Sequence, residues 1–134
     1  MFKDLDHIGY VVRSILESVV GFSKHLGVIW SRKVYRDIQQ EVNVTFITQG
    51  IGKTLIELVE PIGNDSPVKR FLDKTSGGLH HLCYTVDRLN ESLNFYRNCG
   101  CLIVKEPEFA KAFKGRRVAW IMTPEMLLIE LLEL

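Results

Sequence analysis

The sequence predicts an α+β protein built from a duplicated βαβββ unit, and three observations predict it. Two stretches with the same strand-like alternation, residues 6–12 and 80–86, each precede a helix signal and then three extended segments. The tetrapeptide Leu-Ile-Glu-Leu occurs twice, from Leu55 to Leu58 and again from Leu128 to Leu131. About 50 residues separate His7 from Glu57, and nearly the same number separate His81 from Glu130, the spacing expected of a repeated unit.

The elements follow in order. After the first strand, Ser14 with Glu17 three residues on forms a capping box, and Ile15, Val19, Phe22 and Leu26 recur at helical spacing until Gly27 ends the run. Extended segments at 28–37, 41–48 and 54–60 complete the first half. The second half repeats the plan. Asp87 is the candidate cap, Leu89, Leu93 and Tyr96 form the apolar stripe, Gly100 is the stop, and extended segments follow at 101–105, 117–123 and 127–133. The connecting stretch opens on Gly63, Asn64 and Asp65 and holds a short helix capped by Ser66 with Pro67 at its first position, before Gly77 and Gly78 break it. The expected organisation is one domain over 1–134, with module 1 at about 1–60, a linker at about 61–78 and module 2 at about 79–134.

Composition narrows the function classes. With 17 basic and 16 acidic residues among 134, the chain has no charge excess to draw it to nucleic acid or to an acidic membrane surface. No stretch approaches the ~20 apolar residues of a membrane span, and Lys3, Asp4 and Asp6 precede any apolar run. Three cysteines, Cys83, Cys99 and Cys101, are an odd number without framework spacing, which suits thiols in a reducing compartment. The expected setting is cytoplasmic, with a small-molecule substrate and neither nucleic acid nor membrane as partner.

The chemistry lies in which strand residues share a face. Alternation puts His7, Gly9 and Val11 on one side and Ile8, Tyr10 and Val12 on the other; in the second copy His81, Cys83 and Thr85 oppose Leu82, Tyr84 and Val86. By the same rule Glu57 and Glu130 each point away from the isoleucine and leucine that flank them. A buried lone carboxylate costs several kcal/mol, so two of them require compensation. Two imidazoles and two carboxylates, one of each per half, would hold a divalent metal: His7, Glu57, His81 and Glu130. Imidazole suits Zn, Ni, Co or Fe, and carboxylate extends the range toward Mn. Four protein ligands in a larger coordination shell leave positions for substrate, as catalysis requires. His80 and Glu60 have the wrong parity, and His25 sits near a helix C-terminus, where a cation interacts well with the dipole; these three are read as non-ligands. Lys111, Lys114, Arg116 and Arg117 form a basic cluster beside the seventh strand, with Lys114 and Arg116 the candidates for meeting an anionic substrate.

The segments LDHIGYVV, IELVEPIGNDSPVKRFLDK, GGLHHLCYTVD and LLIELLE resemble the vicinal oxygen chelate superfamily of glyoxalases, dioxygenases and resistance proteins, most nearly its methylmalonyl-CoA epimerases. The resemblance implies a glyoxalase-like fold, a curved eight-stranded mixed sheet around a metal-binding cleft, and the same four ligands that parity selects. It also implies a homodimer and one divalent ion (Co, Ni, Zn or Mn) per site. The activity it implies is proton transfer next to a ketone or thioester carbonyl through a metal-stabilised enolate, on an acyl-CoA, with Glu57 and Glu130 as the acid/base groups. The same ligand set is found in lactoylglutathione lyases, and resistance-type members only bind small molecules, so these two are the rival readings. The segment Met122 to Leu127 is shorter than its counterpart in the epimerases, and Val44 stands where some of them carry a further carboxylate.

Overall fold

Helix starts, glycine stops and period-two runs translate directly into elements in the computed structural model, which describes residues 2–134. The described residues form two units, one comprising Ile8–His80 and the other the residues through His7 together with His81–Leu134.

In the unit Ile8–His80, the latter part of β1 (Leu5–Val11) is followed by α1 (Ile15–Leu26), β2 (Ile29–Trp30), β3 (Tyr35–Asp37), β4 (Val42–Thr48), β5 (Leu55–Pro61) and α2 (Pro67–Thr75). Helix α1 starts where the capping box predicts, with Ser14 Oγ accepting from Glu17 N at 3.3 Å. It stops at Gly27, which takes the left-handed conformation (φ 63°) and donates its N–H to Ser23 O. Ser66 caps α2 with Pro67 at the first turn, again as expected. Strands β2 and β3 both pair antiparallel with β4, and β4 pairs antiparallel with β5. Val12, Ile15, Val19, Val28, Ile47 and Leu58 form the core between α1 and the sheet. The expected single strand over 28–37 is thus delivered as two short pieces. Arg32 between them has φ 61°, and a residue in the left-handed region cannot continue a strand.

In the other unit, the part of β6 (Gly78–Val86) from His81 onward leads through α3 (Leu89–Asn98) to β7 (Leu102–Phe109), a 3-10 turn (Lys111–Phe113), β8 (Arg117–Met122) and β9 (Leu128–Glu133). The strand order is β6-β9-β8-β7, with β6 and β9 parallel and the two hairpin pairs antiparallel, so the sheet is mixed. Val86, Leu89, Leu93, Tyr96, Ala119, Ile121, Ile129 and Leu131 pack under α3. The N-terminal residues are tied to β6 by Lys3 N to Thr85 O and Thr85 N to Asp4 O, both 2.9 Å. Two differences from expectation appear here. β7 continues through Pro107 to Phe109, which an edge strand with register shifts tolerates because one side of it needs no ladder donor. Asp87 does not cap α3: the N-cap is Arg88, without a side-chain cap bond, and the first helical N–H, Leu89 N, donates to Glu133 Oε2 at 2.8 Å. Glu60 does the same for α1, accepting from Ile15 N at 2.8 Å. Among the described residues no helix is long and apolar enough to cross a membrane.

Candidate metal centre

The alternation of β1, β6 and β9 decides which side chains turn inward. His7, Gly9 and Val11 are buried while Ile8 and Tyr10 are only half-buried, and on β6 the buried set His81, Cys83 and Thr85 alternates with half-buried Leu82 and Tyr84. The parallel register sets Cys83 beside Glu130, and the β8–β9 register sets Trp120 beside Glu130, so these residues share one face. The opposite face, with Ile129, Leu131, Ala119 and Ile121, packs under α3. Hydrophobic packing on one side therefore drives the polar residues to the other.

Three of the four expected ligands meet there. His7 Nε2 lies 3.3 Å from His81 Nε2 and 3.7 Å from Glu130 Oε1. The ligating atoms of His7, His81 and Glu130 all fall within 4.8 Å of one another, and all three residues are buried. Phe113, from the 3-10 turn, stacks on the His7 ring at 5.5 Å and 15°. Trp120 meets His81 edge-on at 4.7 Å and 78°. The donors thus sit among aromatic walls that keep bulk water from the ring nitrogens. Two imidazole nitrogens and a carboxylate fit a borderline divalent ion such as Zn, Ni, Co, Fe or Mn, and they fit Ca or Mg poorly, since those ions take oxygen ligands.

Glu57, the fourth expected ligand, belongs to the unit Ile8–His80. It is buried at 5% exposure, next to Phe46 in the β4–β5 register and on the face that Leu55 and Val59 share, away from the α1 core. Val44, paired with Val59, lies on that same face, buried and apolar.

The basic cluster comes apart. Arg117 turns to the α3 side, where Nε and Nη2 each lie 2.9 Å from the Glu133 carboxylate. Lys114 is exposed at the end of the 3-10 turn in the left-handed conformation, and Arg116 is half-buried with its Nε donating to Phe113 O at 3.3 Å. Lys114 and Arg116 therefore remain beside Phe113, and Arg117 leaves the group. Of the non-ligands, His25 is in the last turn of α1. Glu60 turns to the start of α1 and accepts from Ile15 N. His80 meets the edge of Phe71 at 4.8 Å, and burial pushes its pKa down to about 4.

Sequence reasoning missed Asp6, whose Oδ2 lies 2.8 Å from His7 Nδ1. Parity argues against it, because neighbours on a strand point to opposite faces; only the adjacency of Asp6 and His7 in the chain hinted at it. Asp6, His7 and Cys83 also form a close group. Trp120 escapes notice because an aromatic in a mostly apolar strand reads as core, and Phe113 because it lies in the short 3-10 turn among lysines.

The chain is similar in sequence and fold to known proteins. YqjC of Bacillus subtilis (strain 168), an uncharacterized protein, is 35% identical over 132 residues, covering 96% of this chain and 91% of that one. The mitochondrial methylmalonyl-CoA epimerase of Homo sapiens is 33% identical over 90 residues, covering 66% of this chain but only 49% of that protein. The crystal structure of methylmalonyl-CoA epimerase from Mycobacterium tuberculosis superposes with a TM-score of 0.85 at 26% identity, over 98% of this chain and 88% of that one. That likeness extends to the whole duplicated fold, and the model of the Glyoxalase/Bleomycin resistance protein/Dioxygenase superfamily matches residues 6–120, from the strand of His7 to Trp120. A repeated βαβββ chain with paired histidine strands and this match belongs to the Glyoxalase/Bleomycin resistance protein/Dioxygenase superfamily.

Proposed function

We propose that this protein is a metal-dependent isomerase that moves a proton on the carbon next to a carbonyl or thioester, and that methylmalonyl-CoA is the substrate to test first. The observation that carries the reading is the buried meeting of His7, His81 and Glu130 within 4.8 Å, in a chain with curated methylmalonyl-CoA epimerases among its relatives.

His7, His81 and Glu130 would hold the ion, and Glu57 is assigned to the fourth ligand position. A divalent ion bound there supplies Lewis-acid polarisation of the substrate carbonyl, which acidifies the neighbouring C–H. Inverting a centre needs one group to take the proton and another to return it to the opposite face. Glu57 and Glu130, the repeat-related carboxylates, are assigned these two roles. Phe113 and Trp120 exclude water from the histidine donors, which strengthens each electrostatic contact made there. Lys114 and Arg116, beside Phe113, are assigned to the anionic part of the substrate, a CoA phosphate in the first instance. A homodimer is the assembly we expect.

The direct test is proton exchange. Incubated in D2O with methylmalonyl-CoA, the metal-loaded protein should abolish the α-proton NMR signal far faster than a protein-free control, and His81→Ala should remove both stoichiometric metal and exchange. Exchange no faster than in the control refutes the epimerase reading. Turnover of methylglyoxal with glutathione would replace it with a lyase, and a folded protein that never holds metal would replace it with a small-molecule binder.

A further inference from the structure

We propose that Asp6 is a positioning residue for the metal centre: its carboxylate holds His7 in the tautomer that aims an Nε2 lone pair at the ion. The inference rests on the reading of His7, His81 and Glu130 as ligands and adds a residue outside that set.

A neutral imidazole carries its proton on one nitrogen and a lone pair on the other, and only the lone pair ligates. Which nitrogen is which depends on what the other ring atom faces. The Asp6 carboxylate, acceptor-only when ionised, lies 2.8 Å from His7 Nδ1, so Nδ1 donates its proton to Asp6. The remaining nitrogen, Nε2, is then left unprotonated, and it is the one that faces His81 Nε2 at 3.3 Å and Glu130 Oε1 at 3.7 Å. The His7 side chain has no exposure, so water does not compete for either nitrogen, while Asp6 retains 24% of its own. Asp6 therefore keeps part of its hydration and spends one oxygen on orienting a fully buried ring. The Phe113 ring, nearly parallel to His7 at 15°, fixes the imidazole plane, and Asp6 fixes its rotation within that plane. A carboxylate hydrogen-bonded behind a ligating imidazole also raises the basicity of the far nitrogen; removing such a partner costs roughly 10–100-fold in metal affinity.

Two measurements on the full chain test this, with Co2+ as the probe. In the metal-free protein, long-range 1H–15N correlation of the His7 ring should report the Nδ1–H tautomer in the wild type and in Asp6→Asn, whose amide oxygen still accepts. Asp6→Ala should show a mixture or the Nε2–H form. Competition against a chromophoric chelator should give an affinity for Co2+ about 10–100-fold weaker in Asp6→Ala, with Asp6→Asn in between. Should Asp6→Ala fail to fold, Asp6→Asn decides alone: affinity weaker than wild type with the tautomer kept supports the role, and affinity equal to wild type overturns it. An Asp6→Ala protein that folds and binds Co2+ within twofold of wild type, or keeps the Nδ1–H tautomer, overturns the role of Asp6 alone. A wild type that takes up no Co2+ overturns the metal-centre reading and this inference with it.

Discussion

Glu133 closes the start of α3 from strand β9, and its removal gives the most discriminating test of how the second βαβββ copy is held together. Helix α3 has no side-chain cap of its own, and Leu89, its first residue, is fully buried. Glu133→Ala leaves the Leu89 N–H without its carboxylate at the helix end, where a lost cap or an unsatisfied buried donor costs about 2 kcal/mol. The pair with Arg117 lies at the surface and is given no share of that figure. For a chain of this size about 2 kcal/mol corresponds to a fall in Tm of roughly 6 °C. The repeat supplies a counterpart. Glu60→Ala removes the same bond at Ile15 N, and Ile15 is likewise buried, so a loss of similar size, about 2 kcal/mol, is expected there. The pH dependence has a definite sign. Hydrogen bonds from Arg117, aided by the Leu89 N–H and opposed by burial, hold the Glu133 carboxyl below its ordinary value of 4.5. The folded state therefore releases this proton more readily than the unfolded chain, so the stabilisation is fully present above about pH 4.5 and is lost as pH falls through the lower folded value. Urea titrations of wild type and Glu133→Ala should differ by a constant amount from about pH 5 to 8, and the difference should narrow, without vanishing, as pH falls through the folded value, since a protonated carboxyl still accepts from Leu89 N–H. A gap that widens as pH falls, or a Glu133→Ala protein as stable as wild type at about pH 7, would count against this assignment.

Other outcomes follow from single contacts. Gly77 has φ 98°, and a Cβ there would come within 2.7 Å of Val11 O, so Gly77→Ala should cost roughly 2–3 kcal/mol by chemical denaturation. Gly100→Ala, with φ 88° but its nearest neighbour the Pro124 side chain at 3.8 Å, should cost only about 1 kcal/mol. Trp120 touches a proposed ligand, so titration with Co2+ should quench part of the tryptophan emission; Trp120→Phe should abolish the response, and quenching carried by Trp30 instead would contradict the assignment of the centre.

Much of the site was legible because it rests on a period of two. Once the strands at 6–12 and 80–86 were aligned as copies, the buried face of each followed from parity, and His7, His81 and Glu130 meet as that parity requires. The helix boundaries of α1 and α2 were legible because Ser14, Gly27 and Ser66 act on their own neighbours. What escaped depends on partners distant in the chain or on backbone choices that side-chain type does not announce. Glu133 caps a helix 44 residues before it in sequence, whereas Asp87 had the right local position and does not perform the role. Arg32 breaks a strand by adopting φ 61°, which nothing about an arginine foretells. Arg117 sits in a basic run, yet alternation along β8 turns it toward Glu133.

The two glutamates of β9 stand three residues apart and serve opposite faces, Glu130 toward the ligand cluster and Glu133 toward the start of α3; Glu57 and Glu60 stand in the same relation on β5. Gaining or losing one residue between the members of a pair would force either the inward or the capping carboxylate onto the wrong side. Those short segments should tolerate substitution at intervening positions far better than any change of length. The turn from Thr123 to Leu127, closed by the Met122–Leu128 register, carries neither duty. Insertions and deletions in relatives should accumulate there, since the loop leading into β9 can change length while both glutamates keep their places.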